Sequence, residues 1–148
     1  MVIEVRDATA GDFDIIYQFI NELQNKTFDK QKLKTLYEEN IADPKNIYLV
    51  AIDGESTCGY LSCHIQTLLH HAGQVAEVQE MFVTPKDRSR GVGKLLVDAV
   101  KDRARKMGAV QLEVTTRLIR KDAIRFYVRE SFQDSHKKLV YYFNDQKK

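Results

Sequence analysis

Between residues 75 and 115 the chain changes its hydrophobic period twice, which constrains the fold more than any other stretch. Residues 75–83 carry β-forming side chains, and Pro85 stops the strand because proline has no amide proton for a ladder. From Gly91 the period lengthens. Val92, Leu95, Leu96, Ala99, Val100, Ala104 and Met107 mark one face of a helix of about four turns. Gly108 stands where a left-handed C-cap is wanted, and residues 110–115 are strand again. A strand, a long helix and a strand form a crossover unit, so 75–83 and 110–115 are expected to be parallel neighbours in one sheet.

Upstream, the strands are joined differently. Residues 2–5 alternate as a short strand. Thr9, with Asp12 three positions on, opens a helix whose buried stripe is Phe13, Ile16, Tyr17, Ile20 and Leu23. Asp29 caps a second helix striped by Leu33, Leu36, Tyr37 and Ile41, which ends before Pro44. Strands at 46–52 and 57–68 flank the hairpin signal Asp53-Gly54, and the turn His70-His71-Ala72-Gly73 leads into 75–83. After the crossover, a helix over about 121–130 and a closing strand at 138–144 complete the order β-α-α-β-β-β-α-β-α-β. The expected fold is α/β (α+β), a mixed and mostly antiparallel sheet with helices on both faces.

With 148 residues, 43% hydrophobic and 30% charged, two prolines and seven glycines, residues 1–148 read as a single domain without a linker. The net charge of +2 is too small to make nucleic acid or an anionic membrane the expected partner. Residues 1–6 carry an acid early and lack the apolar stretch of a signal peptide. Cys58 and Cys63 match neither a disulfide framework nor a zinc site, so a cytoplasmic chain with reduced thiols is expected.

The chemistry is concentrated in Val83-Thr84-Pro85-Lys86-Asp87-Arg88-Ser89-Arg90-Gly91-Val92-Gly93-Lys94, between a strand end and a helix start. Amides at a helix N-terminus point the same way, and glycine lets a ligand approach the backbone closely. Lys86, Arg88, Arg90 and Lys94 add positive charge, so the segment reads as a pyrophosphate site. It is not a Walker A loop, which needs glycine where Arg88 stands and Ser or Thr where Leu95 stands. Nor is it a dinucleotide fingerprint, whose third glycine would fall at Leu96.

The stretch Arg88-Ser89-Arg90-Gly91-Val92-Gly93 after Pro85 resembles the acetyl-coenzyme A signature of the Gcn5-related N-acetyltransferases (GNAT). The resemblance covers nearly the whole chain in element order and is sharpest between residues 77 and 132. It implies acetyl-CoA as cosubstrate, its pyrophosphate held by the amides of residues 88–94 and its pantetheine by Met81, Phe82 and Val83. It also implies that the parallel pair of strands splays apart to admit the pantetheine. A second block, Asp122-Ala123-Ile124-Arg125-Phe126-Tyr127, is similar to the family's later motif and brings Asp122 and Phe126 to the cofactor. The chain departs from that motif at Arg120, where asparagine is usual, and at Ser131, where glycine is usual; serine makes positive φ harder to reach. Phe28-Asp29, His70-His71, Glu77-Val78-Gln79-Glu80 and Ser135-His136 make it most like the aminoalkylphosphonate N-acetyltransferases.

An alkylamine with a pKa near 10.4 is only about 0.04% neutral at pH 7, so attack on a thioester needs a general base. By the resemblance Glu77 is the first candidate. Glu80 is the second; strand alternation puts it on the opposite face unless a bulge intervenes. A backbone amide near Met81 or Phe82 would hold developing oxyanion charge, and Tyr127 would protonate the departing thiolate. Phe28, His70, His71 and Arg117 are candidate acceptor contacts, Arg117 for an anionic tail. His64, His70 and His71 are not expected to form a metal site. The expected activity is direct acetyl transfer to a small primary amine, aminoalkylphosphonates above all, by a homodimer. The alternatives are acetylation of an amino acid, polyamine or protein amine, and a non-catalytic acyl-CoA-binding regulatory module.

Overall fold

The computed structural model describes residues 2–144 as two compact units, one running to Val114 and one starting at Thr115. In the first unit, Asp29 caps the second helix by accepting from the Lys32 amide at 2.9 Å. The first helix starts less simply. The Asp12 carboxylate accepts from the Thr9 amide at 2.7 Å and pairs with both terminal nitrogens of Arg6 at 2.9 Å. A 3₁₀ turn (Ala10–Asp12) therefore precedes α1 (Phe13–Gln24), which is followed by α2 (Lys30–Ala42).

Strands β1 (Ile3–Asp7), β2 (Asn46–Asp53), β3 (Ser56–Leu68), β4 (Gly73–Val83) and β5 (Ala109–Val114) lie side by side in chain order. The first three junctions are antiparallel, and β4–β5 is parallel as the crossover requires. The crossover helix α3 (Val92–Lys106) ends where Gly108 takes φ +91°. One sheet face presents Tyr48, Val50, Tyr60 and Phe82 to Phe13, Ile16 and Phe19 of α1 and Tyr37 of α2. Each such burial is worth roughly 1.5–3 kcal/mol relative to exposure. The other face packs against Val92, Leu96, Val97, Val100 and Ala104 of α3, all buried. Gly59 makes this approach possible, because a Cβ there would stand 2.8 Å from Val92 Cγ1.

Two irregularities in β4 matter for function. Between β3 and β4, Ser62 pairs with Glu80 but the next residue, Cys63, pairs with Val78, so Gln79 has no opposite number. Between β4 and β5, pairing ends at Val78 with Val114 while β4 continues to Val83. The parallel pairing thus stops midway along β4, where β5 ends at Val114.

The second unit holds α4 (Lys121–Arg129). Its end is closed by Ser131 N–H to Val128 O at 3.0 Å and Phe132 N–H to Tyr127 O at 2.9 Å, the paired bonds of a Schellman turn. Ser131 adopts φ +76° after all; the two bonds offset a left-handed cost of roughly 1–2 kcal/mol. The expected closing strand at 138–144 does not form. Its β-formers are exposed, Leu139 by 86%, Tyr141 by 82% and Phe143 by 96%. β-propensity describes fit to a half-buried pleated surface, and without a ladder partner such residues do not make a strand.

Candidate active site

The turn after β4 is built from its own side chains. Thr84 donates its amide to Cys58 O at 3.0 Å and its hydroxyl to the Asp87 carboxylate, and Pro85–Asp87 form one 3₁₀ turn. The Arg90 guanidinium spans Asp87 and Asp53, the latter at 2.9 Å. Those partners hold the Asp87 carboxyl below its ordinary range, Thr84 contributing most. Arg88, though exposed, is engaged as well, donating Nε–H to Val83 O at 2.9 Å and lying over the Phe82 ring. Two of the four cations in this segment therefore brace the turn. The Gly91 backbone, at φ +80°, delivers the chain into α3, and nothing lies within 4 Å of where its Cβ would be. The amides of Gly91, Val92, Gly93 and Lys94 precede the first position that an intrahelical acceptor can reach; Leu95 N–H already bonds Gly91 O at 3.1 Å. This donor set fits a diphosphate.

The bulge at Gln79 decides the acidic side chains. Ser62 and His64 share a face of β3, and their opposite numbers are Glu80 and Glu77. Both carboxylates therefore lie on the α1/α2 face, where simple alternation had separated them. Glu80 is held there: Tyr60 donates its hydroxyl at 3.0 Å, Ser62 donates its own, and the Glu80 amide donates to Ser62 Oγ at 3.2 Å. Phe82 stacks on Phe19 at 4.8 Å, so its ring belongs to the core and only its backbone is available to a ligand.

Other expected contacts are dispersed. Phe28 lies in the α1–α2 connection, its amide bonded to Asn21 Oδ1 at 3.1 Å and its carbonyl to the Tyr17 hydroxyl at 2.5 Å. His70 and His71 lean on each other, with rings 4.3 Å apart, in the turn between β3 and β4. At about 3.3 Å per residue the start of β4 is roughly 13 Å from Glu77, so the structure does not bring the two histidines to that carboxylate. Among the described residues no group of three or more His, Cys, Asp or Glu could hold a metal ion, and no helix is long and apolar enough to cross a membrane.

In the second unit, Tyr127 is buried between Phe126 and Phe132, both edge-on, at 5.2 and 5.4 Å. Burial pushes its phenol up to about 12, against a smaller opposing effect of Arg120, so it keeps its proton at neutral pH. Ile119, Arg120, Lys121, Asp122 and Ala123 line a depression of about 300 Å³ at the start of α4. Asp122 pairs with Arg125, and the Arg117 carbonyl accepts from the Arg120 amide at 2.9 Å.

Comparison with known proteins gives this geometry its context. The profile of the acetyltransferase (GNAT) family matches residues 14–132. An aminoalkylphosphonate N-acetyltransferase of Salmonella typhimurium is 37% identical over 135 residues, 91% of this chain and 88% of that protein. The chain belongs to the GNAT acetyltransferase family. A crystal structure described as a transcriptional regulator from Bacillus halodurans superposes with a TM-score of 0.88 at 26% identity, covering 96% of this chain and all of that one. Glucosamine-6-phosphate N-acetyltransferase from Arabidopsis thaliana shares the fold, with a TM-score of 0.79 at 16% identity over 97% of this chain and 100% of that one.

As a GNAT acetyltransferase the chain is an enzyme, and members of its family use acetyl-CoA. Sequence reasoning missed the residues that hold the GNAT site in shape. Asp53 and Asp87 are turn acids in the sequence, and only their shared arginine reveals them as braces. Ser62 and Tyr60 are strand residues whose bond to Glu80 depends on a bulge that alternation could not forecast. Two consecutive polar residues in β4, Gln79-Glu80, are the one available signal, because a regular strand buried on both faces has no place for them.

Proposed function

We propose that this enzyme transfers the acetyl group of acetyl-CoA to a small primary amine bearing an anionic group, an aminoalkylphosphonate first among these, by direct attack with both substrates bound. The relative from Salmonella, so named and matched over most of both chains, supports the substrate class. The observation that carries the chemical reading is the Gln79 bulge, which puts Glu77 on the α1/α2 face next to the end of β5.

Acetyl-CoA supplies the activated acetyl thioester. The first-turn amides of α3, from Gly91 to Lys94, hold its diphosphate, and the backbone of Met81, Phe82 and Val83 binds the arm that follows. Glu77 removes a proton from the amine, directly or through one water. Glu80, whose Oε1 accepts from both Tyr60 and Ser62, keeps the bulge in place instead of acting as base. The Tyr127 phenol, kept protonated by burial, supplies a proton to the leaving thiolate. Arg117 binds the anionic tail by charge-assisted bonds. Residues 1–148 work as one acetyltransferase domain and as a homodimer, in which a second copy would cover the exposed Leu139, Tyr141 and Phe143.

The test is thiol release from acetyl-CoA across a panel of aminoalkylphosphonates, amino acids, polyamines and peptide amines. The aminoalkylphosphonates should turn over with the highest kcat/KM. Preference for another class would overturn the substrate assignment, and CoA binding without turnover on any amine would overturn the reaction. Glu77→Ala should lose most activity at neutral pH and recover part of it at high pH, where free amine is abundant. A uniform loss at every pH removes Glu77 as base. Light scattering should give twice the chain mass.

A further inference from the structure

Next to Glu77 lies a chain of polar side chains that the proposed chemistry leaves unused. Asn40 in the last turn of α2 donates Nδ2–H to the Tyr48 hydroxyl of β2 at 2.9 Å. That hydroxyl lies 2.9 Å from Nε2 of His64 on β3. The Asn40 carbonyl accepts from Asn46 Nδ2 at 3.0 Å and from the Asp43 amide at 3.2 Å, which fixes the far end of the chain. Tyr48 is only 8% exposed, packed against Tyr37, Tyr60 and the His64 ring.

Counting protons along this chain gives the state of the imidazole. The Asn40 amide nitrogen can only donate, so it occupies a lone pair of the Tyr48 oxygen. Burial first, then the charge of Glu80, pushes the Tyr48 phenol up to about 12, so the hydroxyl keeps its hydrogen at neutral pH. With Asn40 on its oxygen, the Tyr48 hydroxyl has His64 Nε2 at 2.9 Å as the acceptor for its hydrogen, and on that bond Nε2 accepts and is bare. The neutral ring therefore carries its own proton on Nδ1, the nitrogen nearer the strand. His64 lies directly opposite Glu77 in the β3–β4 ladder, on the same face and only partly exposed. Cβ atoms of such a pair are about 4.5–5.5 Å apart, within reach of an Nδ1–H bond to a carboxylate.

We propose that His64, oriented by Tyr48 and Asn40, is a positioning residue for Glu77, donating Nδ1–H to the carboxylate that accepts the amine proton. A neutral donor aims the carboxylate without the full positive charge that would weaken it as a base. Other ionisable groups facing this pair are Glu80 on β4, Tyr48 on β2 and Glu113 of β5, opposite Glu77 in the parallel ladder. This inference rests on the assignment of Glu77 as base, and its test is built so that the two can fail separately.

Long-range ¹⁵N NMR of the wild-type protein at neutral pH should show His64 with its proton on Nδ1, and Tyr48→Phe should release that preference. A proton on Nε2 in the wild type overturns the proposal whatever Glu77 does. With acetyl-CoA and 2-aminoethylphosphonate, His64→Ala should lower kcat by roughly 10–100-fold at unchanged CoA affinity. His64→Asn, whose amide can replace the Nδ1 donor, should restore most of that loss. Equal losses in the two variants, or none in His64→Ala, overturn the proposal. In a Glu77→Ala background His64→Ala should cost nothing further, and an additive loss means that His64 acts elsewhere. If Glu77→Ala alone leaves turnover intact, the base assignment fails while the NMR result still tells whether the tautomer was read correctly.

Discussion

Gly59→Ala probes the joint between the sheet and the turn that opens α3. A Cβ at residue 59 would stand 2.8 Å from Val92 Cγ1, 3.0 Å from Leu96 Cδ1 and 3.4 Å from Ala51 Cβ. Carbon atoms in good contact are about 3.5–4.0 Å apart, so the added methyl demands roughly 0.7–1.2 Å of retreat at its worst point. Val92 and Leu96 are fully buried, and a β-branched side chain in a helix has essentially one rotamer, so Val92 cannot swing aside. The helix itself must move, at a cost of about 1–3 kcal/mol. For a chain this long that lowers Tm by roughly 3–10 °C. Val92 is also the first residue of α3, so its amide moves with it and CoA should bind about tenfold more weakly, or roughly 1.4 kcal/mol. Urea denaturation and titration calorimetry with CoA measure the two effects. Val92→Ala alone should cost roughly 2 kcal/mol as a cavity. In the double variant the Cγ1 clash is gone, so the combined loss should be smaller than the sum by at least about 1 kcal/mol. Strict additivity, or a Gly59→Ala protein within about 0.5 kcal/mol of wild type, would refute the close approach and its link to CoA binding.

Asp12→Asn should cost about 1–2 kcal/mol at pH 7, discounted for the partly exposed Arg6, as urea denaturation would show. The Arg6 bond first, then the Thr9 amide, lowers the folded-state pKa of Asp12, so its contribution is full above the unfolded value near 3.9 and fades as pH falls through the folded one. The gap between variant and wild type should therefore close in acid. Burial pushes the Cys63 thiol up to about 12 and raises that of Cys58, leaving both protonated at pH 8. Alkylation of the folded protein should be far slower than that of a free thiol, accelerating only with denaturant. Tyr127→Phe should cut kcat with little change in CoA affinity, by steady-state kinetics and calorimetry, and full turnover would remove the phenol from the reaction.

The long periodic elements were legible in the sequence because their physics is local. The crossover from β4 through α3 to β5 follows from Pro85, Gly91, Gly108 and one apolar stripe, and Asp29 and Gly108 cap where a short-range reading puts them. What escaped it depends on partners distant in sequence. Arg90 looks like a phosphate ligand until Asp53, thirty-seven residues away, is seen to claim it. The face occupied by Glu80 turns on one unpaired residue in a neighbouring ladder. Residues 138–144 have the composition of a strand, but a ladder requires an edge to join, and composition carries no information about edges.

The bulge at Gln79 makes the side on which Glu77 emerges a matter of odd and even. Deleting this one exposed glutamine would put Val78 next to Glu80 in an evenly alternating ladder and keep both acids on the face they now share. Were residue 79 drawn into regular pairing instead, Ala76 and Val78 would turn to α1 and α2 and Glu77 to the underside of α3. The enzyme should accordingly tolerate many replacements at residue 79, and its deletion, but not a strand that pairs it.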